Sequence, residues 1–104
     1  MPKQAIKLVI ITERLLFDHI VRIIEAKGGT GYTVTAADGK GQRTTRPSRH
    51  PSVSDALVKM KLEMITTDQS VAQAIADEVA NKYFDNFSGI IYFDQVEVLY
   101  AHSL

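Results

Sequence analysis

The stretch from Leu57 to Ile65, LVKMKLEMI, alternates without a break. Val58, Met60, Leu62 and Met64 fall on one side, with Lys59, Lys61 and Glu63 on the other. In a strand every second side chain faces the same way, so this pattern predicts a strand with one dry and one wet face. Residues 5 to 12, AIKLVIIT, are rich in Val and Ile and predict a first, well-buried strand. From Glu13 to Lys27 the period changes: Leu16, Ile20, Ile23 and Ile24 recur at helical spacing. Thr12 is the expected N-cap of that helix, and Gly28 with Gly29 its stop. Gly31 to Ala36, GYTVTA, predicts a second strand. Thr66 and Gln69 in TTDQ have the separation of a capping box. The helix after it is expected to run to about Phe84, with Val71, Ile75, Val79 and Tyr83 on one stripe. Gly89 to Ala101, GIIYFDQVEVLYA, predicts a long final strand.

The order is therefore β-α-β-β-α-β, the ferredoxin-like α+β plan: a four-stranded antiparallel sheet with two helices on one face. One domain spanning residues 1–104 is expected, with a long loop at about 38–56 between the second and third strands. The first and last strands carry a further signal, since both their alternations are apolar. Val9 and Ile11 oppose Leu8 and Ile10, and Ile90, Tyr92, Val96, Val98 and Tyr100 oppose Ile91, Phe93 and Leu99. Helices on one side leave the other apolar side wet. Either a second subunit covers it, or a bulge shifts the phase partway along a strand.

Composition narrows the partners. Apolar residues make up 45% and charged residues 23%, and twelve basic residues balance twelve acidic ones. Zero net charge argues against nonspecific coating of nucleic acid. The absence of cysteine excludes disulfides, thiol catalysis and thiolate metal sites. The apolar run near the N-terminus is too short for a signal-peptide core or a membrane span, so a soluble cytoplasmic protein is expected.

Against that neutral background stands DGKGQRTTRPSRHP, Asp38 to Pro51. Between Lys40 and His50 it carries Lys40, Arg43, Arg46 and Arg49 and no acid. Its glycines and prolines argue against helix or central strand, leaving a solvated basic loop or a loop that grips an anion. Gly41 lets the backbone approach a ligand. Lys40 offers a mobile charge, and Arg43 and Arg46 offer planar forks suited to phosphate oxygens. Neither a Walker pattern nor a dinucleotide fingerprint is present. A loop of about twenty residues in a small domain tends to be functional and can order onto a partner when a ligand binds. NFSGII, Asn86 to Ile91, is the expected turn into the last strand. There Gly89 stops the helix, or Phe87, Ser88 and Gly89 form a wall for a base whose edge main-chain groups could read. His19, His50 and His102 lie on different elements, which gives a metal site little support, and no nucleophile-base pattern points to catalysis.

Taken in order, these stretches resemble the PII signalling superfamily, and more closely its SbtB-type PII-like branch. KLVIITERLL is similar to that family's first strand and helix, and GGTGYTV to its entry into strand two. GKGQR with Arg46 is similar to the start of its long T-loop, and VANKYFDNFSGIIY with VEVLYAH to its C-terminal third. The resemblance covers nearly the whole chain. It implies a homotrimer that binds adenine nucleotides, cyclic AMP among them, in clefts between subunits. It also implies a T-loop that docks on a sodium-dependent bicarbonate transporter in the inorganic-carbon response. Carried over by position, Lys40, Gly41, Gln42, Arg43 and Arg46 handle phosphate and ribose. Phe87, Ser88, Gly89 and Ile90 line the adenine side, and Thr44, Thr45, Pro47 and Arg49 meet the transporter.

Two departures qualify the resemblance. Many relatives end in a cysteine-bearing hairpin, whereas this sequence ends AHSL; and it has neither the T-loop tyrosine nor the basic loop before the last strand of ordinary PII proteins. Triphosphate grip and 2-oxoglutarate sensing are therefore not expected to transfer. The expectation is a regulatory protein rather than an enzyme. It has adenine nucleotide (cyclic AMP, AMP, ADP or ATP) as effector, no obligatory cofactor, no metal and no nucleic-acid partner, and it meets the membrane only through a transporter. Alternatives are a CutA-like trimeric metal-tolerance protein, a slow ATP or ADP hydrolase, and an RNA-binding domain using Tyr32 and Tyr92.

Overall fold

The computed structural model describes residues 2–37 and 58–102. β1 (Lys3–Glu13) leads through a 3-10 turn (Arg14–Leu16) into α1 (Phe17–Ala26). β2 (Thr33–Ala36), β3 (Lys59–Thr66), α2 (Gln69–Tyr83) and β4 (Gly89–Val98) follow. The strands form one sheet in the order β2-β3-β1-β4, with every neighbouring pair antiparallel. This is the expected ferredoxin-like βαββαβ arrangement.

Register decides which side chains meet. β1 pairs with β4 from Lys3↔Val98 to Thr12↔Gly89, and with β3 from Ile6↔Thr66 to Glu13↔Lys59, without a slip. No bulge interrupts either ladder, so the double apolar pattern of the first and last strands is not a phase shift. One face carries Leu8, Ile10, Met60, Leu62 and Met64, buried under Leu16, Ile20, Ile23 and Ile24 on the α1 side and Ala72, Ile75, Ala76 and Val79 of α2. The other face has no helix over it among the described residues. Val9 is closed off by its neighbours, but Ile65 is 36% exposed, Tyr92 40% and Ile90 54%.

Helix ends show which local signals acted. α1 stops as expected: Gly28, at φ 93°, donates its N–H to the Glu25 carbonyl, and Gly29 donates to Ile24 at 2.8 Å. A Cβ on Gly29 would meet Ile24 Cγ2 at 2.6 Å and Met64 Sδ at 2.8 Å, so this glycine also lets the helix end close on β3. Both expected N-caps are corrected. Thr12 is a buried strand residue, and α1 begins from Leu16 without a side-chain cap. α2 is capped by Asp68, whose Oδ1 accepts from the N–H groups of Ser70 at 2.9 Å and Val71 at 3.4 Å. Thr66 instead accepts the Asp68 N–H at 3.0 Å, and Gln69 is the first helical residue.

Candidate functional site

Both feet of the segment 38–57 are anchored at one end of the sheet. Ala37 donates its N–H to the Lys59 carbonyl at 3.0 Å, and Val58 accepts from the Arg14 N–H at 2.9 Å. The same end holds Glu13, last residue of β1 and ladder partner of Lys59, and Gly89, which opens β4 opposite Thr12. A long connection between β2 and β3 thus leaves and returns beside the turn that enters β4.

Ser88 is the polar centre of that turn. It lies one step beyond the β1–β4 ladder, so its main-chain groups need partners from side chains. Thr12 Oγ1 donates to the Ser88 carbonyl at 2.8 Å, and the Ser88 N–H donates to Glu13 Oε2 at 3.0 Å. Lys59 Nζ donates to Ser88 Oγ at 2.8 Å, and Ser88 Oγ lies 3.4 Å from Glu13 Oε2 as a donor. Ser88 therefore has its N–H and carbonyl already engaged, and the Phe87 N–H is spent on the Tyr83 carbonyl at 2.9 Å. The main chain at 87–88 positions the turn with these groups.

The four described candidates from this turn divide between the two faces. Ile90 lies opposite Ile11 on the open face, the side shared by Glu13 and Lys59. Phe87 is half-buried and meets the Tyr83 ring edge-on at 6.5 Å. A Cβ on Gly89 would meet Phe84 Cζ at 2.6 Å and the Ile11 carbonyl at 2.8 Å, so Gly89 is where the Phe84 ring closes on the sheet. α2 has already ended at Tyr83, and Gly89 is not its stop. The basic-run candidates Lys40, Gly41, Gln42, Arg43 and Arg46, and the partner candidates Thr44, Thr45, Pro47 and Arg49, lie outside the described residues.

Sequence reasoning placed Glu13 at the start of the first helix and Lys59 on the wet side of a strand. Only the ladder register brings them together with Ser88. A concavity of about 460 Å³ beside the loop feet was also missed; it is lined by Arg14, Leu15, Phe17, Asp18, Val34 and Met60. A smaller one of about 310 Å³ lies between the helices, where the His19 and Tyr83 rings meet at a tilt with centres 5.7 Å apart. Among the described residues no three His, Cys, Asp or Glu side chains converge as a metal site, and no helix is long and apolar enough to cross a membrane.

The chain matches the family model described as nitrogen regulatory protein P-II over residues 5–103. Among solved structures it resembles a candidate PII-like signalling protein from Thermus thermophilus. That match has 29% identity, covers 93% of this chain and 91% of the other, and has a TM-score of 0.75. CPII from Thiomonas intermedia, solved with ADP, AMP and acetate, matches at 17% identity over 94% and 91% of the chains, with a TM-score of 0.71. The Bacillus subtilis GlnK–ATP complex matches at 18% identity over 89% and 82%, with a TM-score of 0.60. The last two are likenesses of fold.

Proposed function

Because the chain belongs to the P-II family of nitrogen regulatory proteins, we propose that it is a homotrimeric adenine-nucleotide sensor that regulates a membrane transporter through the segment 38–56. The observation that carries this reading is the convergence of both loop feet with the Ser88 turn at one end of the sheet. A basic run rooted there would bring Lys40, Arg43 and Arg46 to the phosphate of a nucleotide whose base lies against Phe87, Ser88, Gly89 and Ile90. CPII and GlnK, which share the fold, hold ADP, AMP and ATP. The open apolar face supports the trimer: Ile90, Tyr92 and Ile65 are exposed on a face that none of the described helices covers, and a second copy would cover them.

In this reading phosphate neutralises Arg43 and Arg46 and selects one conformation of the segment. The output is contact with a sodium-dependent bicarbonate transporter, as in SbtB-type regulators, made by Thr44, Thr45, Pro47 and Arg49. The protein acts by binding rather than by catalysis, in the cytoplasm, and reaches the membrane through its partner.

Calorimetric titration with cyclic AMP, AMP, ADP and ATP, with and without magnesium, tests the sensor. Micromolar binding is expected. Arg43→Ala and Arg46→Ala should each weaken it by about 1.5–3 kcal/mol while the oligomer survives, the range for a lost charge-assisted hydrogen bond. No heat with any nucleotide, from folded protein, overturns the reading. Co-purification of the transporter, with and without ligand, tests the output.

A further inference from the structure

Ser88 stands between a cation and an anion. An ammonium can only donate and a carboxylate only accept, so the hydroxyl proton has one consistent place: Lys59 donates to Ser88, and Ser88 donates to Glu13. The main-chain bonds from Ser88 to Glu13 and from Thr12 to Ser88 fix the residue on both sides, so the hydroxyl is held in position.

The lysines of the open face are not held alike. Lys7 and Lys61 both approach the Glu63 carboxylate, at 3.7 and 3.4 Å. Lys59 leans on a neutral hydroxyl, a weaker partner than a carboxylate. It opens β3 directly after the foot Val58, so it is a cation that an anion arriving at the loop root can recruit. Such an anion must draw Lys59 off Ser88, and it must do so close to the Glu13 carboxylate.

We propose that Lys59, Ser88 and Glu13 form a charge latch that sets which nucleotides the site prefers. Glu13, a positioning residue acting through Ser88, holds Lys59 back in the ligand-free chain and opposes each additional phosphate charge. The latch rests on the nucleotide reading above and extends it, assigning discrimination among AMP, ADP and ATP to residues on β1, β3 and the β4 turn. The opposition is Coulombic and partly screened, so it grades the ligands rather than rejecting one outright.

The test is titration of wild type, Glu13→Gln and Lys59→Met with AMP, ADP and ATP at fixed ionic strength. Gln keeps an acceptor for the Ser88 N–H and removes the charge. Affinity should therefore rise about threefold to fivefold for ATP, less for ADP and least for AMP, the scale of a partly exposed charge interaction. Lys59→Met, at a half-exposed site, reads the latch from its cation end: it leaves Glu13 unopposed, so affinity should fall most for ATP and least for AMP. An equal change for all three ligands in either variant overturns the latch and leaves the nucleotide reading intact. Wild-type protein that binds none of the three overturns both.

Discussion

The two faces of the sheet are made from the same strands and similar residues, yet they end differently. Under the helices, Leu8, Ile10, Met60, Leu62 and Met64 are sealed against α1 and α2. On the other side Val9 and Ala5 are buried by their neighbours, while Ile65, Ile90 and Tyr92 stay open. The difference lies in what the chain can supply for itself. Among the described residues the two helices follow β1 and β3 and pack on one side of the sheet, so the second apolar face has no helical cover. The loop feet and the Ser88 turn gather at the end of that second face. One face thus stabilises the fold, and the other is where assembly and ligand binding are proposed to meet.

The sharpest way to break this contrast is to damage each face in turn. Leu62→Ala on the sealed face leaves a cavity beneath both helices and should cost about 2–5 kcal/mol in urea unfolding. Tyr92→Asp on the open face should leave the circular dichroism of the fold intact and convert the proposed trimer to monomer in sedimentation. A trimer that survives Tyr92→Asp would move the interface elsewhere. A fold lost with Tyr92→Asp would mean that both faces belong to one core.

The contrast also explains what the sequence made legible. Each strand and helix stripe is a local pattern, so element order, the Gly28–Gly29 stop and the double apolar character of β1 and β4 could be read directly. Caps were harder, because Thr66, Thr67 and Asp68 all have capping chemistry and lie within three positions. Asp68 prevails because one carboxylate oxygen reaches two N–H groups and the Ser70 hydroxyl. Thr12 was misplaced because β1 runs one residue further, to Glu13, and the 3-10 turn intervenes before α1. The site was least legible. Lys59 and Ser88 are 29 positions apart and Glu13 and Ser88 are 75 apart, so only pairing register joins them.

Asp68 offers a smaller effect confined to the helix layer. The Ser70 hydroxyl, then the Ser70 and Val71 N–H groups, hold its carboxyl below the usual aspartate range. A carboxyl lowered in the folded state stabilises fully above its unfolded value and loses that contribution as pH falls through the folded one. Asp68→Ala should lower the melting temperature by a few degrees at neutral pH. The gap to wild type should be constant above about pH 5 and close as acid protonates Asp68. A gap that persists undiminished in acid would assign the loss to helix propensity rather than to the charged cap. The oligomer should be untouched.

The finest comparison is between two glutamates that each hold two lysines. Glu78 on α2 takes Lys27 at 3.3 Å and Lys82 at 2.7 Å, and Lys82, then Lys27, keep its carboxyl below the ordinary range while Lys82 is raised in turn. Glu63 sits between Lys7 and Lys61 on the open face. In the isolated chain both arrangements are solvated and should contribute little. Glu78→Gln should therefore barely move the melting temperature, and less still in high salt, because nothing is proposed to cover it. Glu63→Gln is expected to behave the same way in a monomeric background such as Tyr92→Asp. In the assembled protein, a second copy over that face would leave Lys7 and Lys61 covered without their acid, and removing one partner of a covered pair costs more than the pair itself contributes. Glu63→Gln should then weaken assembly where Glu78→Gln does not. Equal effects of the two substitutions on the trimer would mean that Glu63 stays in water and that the second copy covers only the β1–β4 side of the face.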